Sequence, residues 1–208
     1  MLKHILIEER ETAVKYLWAG IGKLIVHQQQ IRNIFTWIAR FGYLAFLIYG
    51  LIEWLRPGMI QERLYRRRTL LYCLFAVSIG SSVSFMIGHI WPRKRPFINH
   101  KNDPPLIPHK DNASFPSNHS MNAMAASLIL ISRKNYWGIP FLFWSILLGF
   151  SRVICRLHYV SDVLGGFLLG AFSASIIYHS HRAKEAATHV LWIYDGLIDS
   201  IYCWRNRW

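Results

Sequence analysis

The sequence predicts an all-α, integral-membrane helical bundle, with about five transmembrane helices and amphipathic helices at the two termini. Three observations carry that expectation. The 208 residues are 53% hydrophobic and 15% aromatic, with a mean hydropathy of +0.21, more apolar side chain than one soluble core of this size conceals. The apolar residues gather into five runs, and the charged residues keep to the short connections between them. No basic helical face or zinc-finger spacing accompanies the formal charge of +13, so a nucleic-acid partner is not expected.

Residues 1–34 mix Lys3, Glu8, Arg10, Lys15 and Lys23 with Ile5, Leu6, Leu17, Trp18 and Ile25, which reads as an amphipathic interfacial segment. It has neither the continuous apolar centre nor the small-residue cleavage site of a secretory signal. The transmembrane unit is expected over residues 35–180. Its runs extend from about Phe35 to Leu55, Leu70 to Trp91, Asn118 to Ser132, Tyr136 to Phe150 and Val160 to Tyr178. The first, second and fifth approach the ~20 residues that cross a bilayer, and backbone groups without water must be helical there. The third and fourth are shorter and fit helices whose ends are shielded inside a bundle. Gly165, Gly166, Gly170, Ala171, Ser173 and Ala174 give the fifth run a small-residue stripe for close packing. Residues 181–208 carry Val190, Ile193, Tyr194, Leu197, Ile198 and Ile201 near helical spacing, as a cytoplasmic interfacial tail would.

The loops orient the bundle. Arg56, Arg63, Arg66, Arg67 and Arg68 separate the first two runs, Arg133 and Lys134 the next pair, and Arg182 and Lys184 follow the last. The positive-inside rule places them in the cytoplasm. Residues 92–117 and 151–159 then lie outside, where Arg93, Lys94, Arg95, Lys110, Arg152 and Arg156 form an excess of cations that calls for a polyanionic ligand. Cys73, Cys155 and Cys203 are too few and too scattered for a disulfide framework or a zinc site, so neither metal nor cofactor is expected.

Three segments bring chemistry to that outer end: Arg95-Pro96, Pro116-Ser117-Asn118-His119, and Ser151-Arg152 followed by His158 and Asp162. The guanidinium forks of Arg95 and Arg152 match phosphate oxygens. Ser117 is placed to cap the third helix, leaving its first amides as an anion site. Asn118 and Lys94 complete the candidate phosphate ligands. His158 and Asp162, four apart, share a helical face, so the carboxylate is expected to take one ring proton and leave the other nitrogen as a nucleophile. His119 is the candidate proton donor to the leaving oxygen. His89, His100, His109 and His179 carry no such pattern and read as structural.

Taken in order, these segments resemble the three signature motifs of the type 2 phosphatidic acid phosphatase superfamily over residues 35–180. That resemblance implies a helical bundle that hydrolyses lipid phosphates without a metal through a phosphohistidine intermediate. It makes His158 the nucleophile, His119 the acid, and Arg95, Ser117 and Arg152 the phosphate ligands. The runs Leu106-Ile107-Pro108-His109, Ala113-Ser114-Phe115-Pro116 and Gly149-Phe150-Ser151-Arg152 are similar to the bacitracin-resistance branch of undecaprenyl-diphosphate phosphatases. The implied substrate is a polyprenyl diphosphate lipid of the bacterial cell membrane, cleaved on the outer face to recycle the carrier for peptidoglycan. Two positions depart from the pattern. Gly88 stands where the wider family has a lysine, whose charge Arg93 or Lys94 replaces unless a diphosphate needs none, and Asn118 stands where others have glycine or aspartate.

Overall fold

Large apolar side chains face outward here, and small or hydroxyl-bearing ones face inward. Leu47, Leu51, Phe85, Leu168 and Phe172 are exposed, while Ala76, Ser84, Ser120, Ala125, Ser127, Ser145 and Ser173 are buried. This is how helices pack when lipid rather than water surrounds them, because close backbone approach replaces the hydrophobic drive to associate. The computed structural model describes residues 29–99 and 104–205, with side chains described through residue 198. The expected interfacial segment therefore lies, up to residue 28, outside the described residues.

Eight helices occupy the described residues: α1 (Gln29–Phe41), α2 (Leu44–Leu55), α3 (Ile60–Ile90), α4 (Pro96–Asn99), α5 (Asn118–Ser132), α6 (Gly138–Ile154), α7 (Val160–His179) and α8 (His181–Arg205). The protein is an all-α bundle with α5 at its centre, packed on α3, α6 and α7. By length and composition α3 and α7 are each able to cross a membrane, and the α1–α2 pair makes a third span if its two arms are counted together. The helices α5 and α6 have 15 and 17 residues, short of the ~20 that a bilayer needs, so five full spans are not what the helix lengths show.

The first apolar run is not one helix. It bends by 49° between α1 and α2. Gly42 donates its amide to the Ile38 carbonyl at 2.7 Å, and the Trp144 indole takes the Gly42 carbonyl at 2.8 Å, which removes that group from helical pairing. A Cβ at Gly42 would lie 2.5 Å from the Ile38 oxygen. The C-terminal segment is more than a surface tail: Ala183, Ala187 and Leu191 of α8 are buried with Leu71, Ala76, Ile129 and Ile177 in one core cluster.

Close approach of α5 and α7 fixes the end that carries the histidines. A Cβ at Gly166 would meet the Ser117 carbonyl at 2.6 Å, and one at Gly170 the Met121 carbonyl at 2.5 Å. Both obstacles are backbone, so neither gives way easily. Gly170→Ala should therefore destabilise the protein by roughly 1–3 kcal/mol, as overpacking does. Gly196→Ala, in α8 with open space around the new methyl, should be neutral or stabilising by up to ~1 kcal/mol. Thermal unfolding in one detergent measures both, and equal midpoints for the two variants would contradict this packing.

Candidate active site

Three chain reversals meet above α5. At the end of α6 the chain turns through Arg156, whose φ is +61°, while the Leu157 amide bonds the Arg152 carbonyl at 3.0 Å and the Arg156 amide that of Val153 at 3.0 Å. This paired closure ends the helix and folds His158 back over Arg152. The loop before α5 is held by backbone bonds from Leu106 to Cys155, from Ser114 to Arg93 and from Ser117 to Asp162. Arg95, at the start of α4, enters from the third side.

Asp162 is fully buried and organises this end. Its carboxylate accepts the Arg93 Nη1–H at 2.6 Å, the Tyr159 amide at 2.9 Å and the Ser114 hydroxyl. The bond to Tyr159 is half of a capping box that opens α7. Arg93 is fixed further by a bond to the Ser161 hydroxyl and by lying 4.2 Å above the Tyr159 ring.

The expected contact between His158 and this carboxylate is indirect. The ring Nδ1 lies 3.6 Å from Asp162 Oδ2 but 2.8 Å from the Ser114 carbonyl oxygen. On the other side Nε2 is 3.1 Å from Arg95 Nη1. A carbonyl only accepts and a guanidinium only donates, so Nδ1 carries the proton and Nε2 presents a lone pair. The His158 tautomer is thus set by Ser114 and Arg95, and Asp162 holds the Ser114 hydroxyl. Burial lowers the His158 pKa to about 4, with Asp162 pulling it up and Arg95 and Arg152 pressing it down. The ring stays neutral at physiological pH.

Arg95 spends most of its donors on the loop, to the carbonyls of Asn112, Ala113 and Leu157 and to the Asn112 side chain. Burial brings its pKa down to about 10, partly offset by Asp162 and Asp111, so it remains a cation. Arg152 is buried too and gives Nη1 to the Ala39 carbonyl of α1 at 2.8 Å. Its Nε and Nη2 are buried with no partner among the described residues. Two unpartnered guanidinium nitrogens on a buried cation are costly and suit an incoming anion.

Other candidates fall in different places. Ser117 is buried at the N-cap of α5 but makes no capping bond, and its hydroxyl pairs instead with that of Ser120 at 3.0 Å. His119 sits in the first turn of α5 with its ring edge-on to Tyr43, 6.0 Å between centroids, within electrostatic reach of Arg152, His158, His109 and Arg95. Lys94 and Asn118 are exposed and do not join the cluster. The three consecutive cations diverge: Arg95 turns inward, Arg93 lies along Tyr159, and Lys94 faces away. At Gly88 the Ala113 methyl would lie 3.2 Å from an added Cβ, so the loop occupies the place from which a side chain would start.

Sequence reasoning missed Ser114, Asn112 and Tyr159 and read His109 as structural. His109 feels the charges of Arg95 and Arg152, and burial pushes its pKa down. The hydroxyl of Ser114, two residues before Pro116, was the one available signal, whereas the part played by its carbonyl left none.

Comparison with known proteins agrees with this geometry. Residues 69–186 match the model of the PAP2 superfamily, and the chain belongs to that family of phosphatases. It is 28% identical to the undecaprenyl-diphosphatase BcrC of Bacillus subtilis, over 89% of this chain and 93% of that protein. It is 30% identical to phosphatidylglycerophosphatase B of the same organism, over 71% of this chain and 73% of that one. The crystal structure of Aquifex aeolicus LpxE shares the fold, with a TM-score of 0.60 at 20% identity, covering 76% of this chain and 92% of that one.

The tautomer is open to test. In protein labelled with ¹⁵N-histidine, His158 should show the neutral Nδ1–H signature at pH 5, where an ordinary imidazole of pKa ~6.5 is mostly charged. An Nε2–H form would contradict the assignment.

Proposed function

We propose that this phosphatase hydrolyses undecaprenyl diphosphate to undecaprenyl phosphate and inorganic phosphate, through a phosphohistidine on His158. The observation that carries the chemistry is the His158 Nε2 lone pair beside Arg95, with the buried Arg152 keeping Nε and Nη2 unpartnered among the described residues. The similarity to BcrC, running almost the whole length of that protein, favours the lipid diphosphate.

In this reading the terminal phosphate enters between Arg95 and Arg152 and takes Arg95 Nη1–H away from His158. The freed Nε2 attacks phosphorus in line with the anhydride oxygen. A P–N bond forms, the P–O bond breaks, and the lipid monophosphate leaves with its electron pair. His119 protonates the leaving oxygen where its basicity requires, then takes a proton from the water that cleaves the P–N bond and restores the lone pair. Arg95, Arg152, the Ser117 hydroxyl and the first amides of α5 hold the equatorial oxygens, where charge spreads in the transition state. Arg95 and Arg152 supply the charge a metal would bring. The site faces the outside of the bacterial cell membrane, and the product returns as the lipid carrier for cell-wall synthesis.

The likeness to phosphatidylglycerophosphatase B favours a second reading, a glycerophospholipid phosphate monoester as substrate. Phosphate release by the purified protein from undecaprenyl diphosphate, phosphatidylglycerol phosphate and phosphatidate decides between them. A kcat/KM highest for either monoester would overturn the first reading.

Two outcomes follow from the roles. His158→Ala should abolish turnover of diphosphate and monoester alike. His119→Ala should hurt monoesters far more, because an alkoxide leaving group needs the ~10²–10⁴-fold that acid catalysis supplies and a lipid monophosphate does not. Equal losses on both substrates would make His119 a phosphate ligand instead. Turnover should also survive chelation of divalent ions, and loss reversed only by adding such an ion would contradict a charge supply from arginine alone.

A further inference from the structure

We propose that the end of the bundle opposite the histidines holds a second anion site, which takes the phosphate group of an anionic membrane lipid. Between the start of α3 and the later turns of α8 lies a cavity of about 310 Å³, lined by Ile60, Arg63, Arg67, Tyr194, Asp195 and Ile198. At ~1.5 Å per residue, α3 places Arg63 about 40 Å from Ile90 at the histidine end, so this cavity is separate from the catalytic one.

The two arginines are prepared differently. Arg67 is fixed: its Nε donates to the Trp54 carbonyl at 3.3 Å, its Nη1 lies 3.5 Å from Asp195, and its guanidinium sits over the Trp54 and Tyr194 rings at 5.4 and 4.8 Å. Arg63 is not: its Nε is buried with no hydrogen-bond partner among the described residues. Neighbouring Arg66 is occupied by Glu53, Glu62 and the carbonyls of Arg56 and Pro57. Asp195 offsets one of the two cavity arginines, which leaves a single positive charge at the wall of a space of headgroup size.

The surroundings identify the anion's carrier. Positive residues that only orient a membrane protein need no cavity. Here the cavity wall includes two isoleucines and a tyrosine, and Leu55, Met59, Ile193 and Leu197 are exposed beside it. The apolar run of α3 begins directly after Arg68. A basic pocket at the boundary between charged and apolar helix surface, with apolar side chains leading away, suits a lipid phosphate whose acyl chains run down the bundle. A free phosphate ion would gain nothing from those side chains.

The test uses the full-length protein in phosphatidylcholine nanodiscs with a minor fraction of phosphatidylglycerol, reading retained lipid by native mass spectrometry. Wild type should retain phosphatidylglycerol over phosphatidylcholine by at least about fivefold, the worth of one arginine near an anionic headgroup. Arg63→Gln should bring the ratio close to one. Lys134→Gln, exposed at the same end but outside the cavity, should leave the ratio unchanged. Asp195→Asn should raise retention above wild type, an increase that a misfolded variant would not give. Equal retention in wild type and Arg63→Gln would overturn the site, and an equal drop in Lys134→Gln would replace it with diffuse surface charge. Displacement of phosphatidylglycerol by millimolar inorganic phosphate would overturn the lipid as its ligand.

Discussion

A fully buried carboxylate surrounded by donors holds the candidate active site together. Asp162 starts α7 through the Tyr159 amide, ties the returning loop through Ser114, and fixes Arg93 at the exit of α3. A charge buried without partners would shift its protonation or destabilise the fold, so these contacts hold or fail together. Their geometric product is the position of one carbonyl. Ser114 is where it must be to receive the His158 proton because its hydroxyl is held by Asp162 and its amide by Arg93. The carboxylate therefore reaches the His158 ring through the backbone of Ser114.

The bent α1–α2 pair has a similar indirect role. By ending at Phe41, α1 offers its Ala39 carbonyl to Arg152, and the bend brings Tyr43 against His119. One break in an apolar run so orients the buried Arg152 and flanks the second histidine. The glycines of α7 complete the arrangement from the other side, since Gly166 allows the Ser117 carbonyl within reach of the helix backbone.

Most of the helical pattern was legible because apolar runs and the charged connections between them leave direct marks in sequence. The α1–α2 bend was not: a hydropathy reading sums over Gly42 and Tyr43, and the Trp144 indole that takes the Gly42 carbonyl lies far away in the chain. At the site, the type and order of Arg95, Ser117, His119, Arg152, His158 and Asp162 were legible as a set. The His158–Asp162 pair lies at 3.6 Å with the Ser114 carbonyl closer to the ring at 2.8 Å, because spacing of four assumes both residues lie on one helix, whereas His158 precedes α7. Lys94 and Asn118 were chosen for chemical type, and the direction of a loop side chain follows from anchors such as the Ser114–Arg93 bond, which residue type does not encode.

The unsatisfied donors of Arg152 have a consequence at the close of each cycle. Two buried guanidinium groups at one site suit a tetrahedral dianion equally whether it is attached to a lipid or free. Inorganic phosphate left after hydrolysis is such a dianion, held by the same N–H groups and no longer drawn away by a hydrocarbon tail. Its departure returns Arg152 Nε and Nη2 to an unpaired state in a low-dielectric setting, an uphill step that chemistry has already completed. In the proposed reaction that cost falls on release of the small product, which makes inorganic phosphate an expected competitive inhibitor.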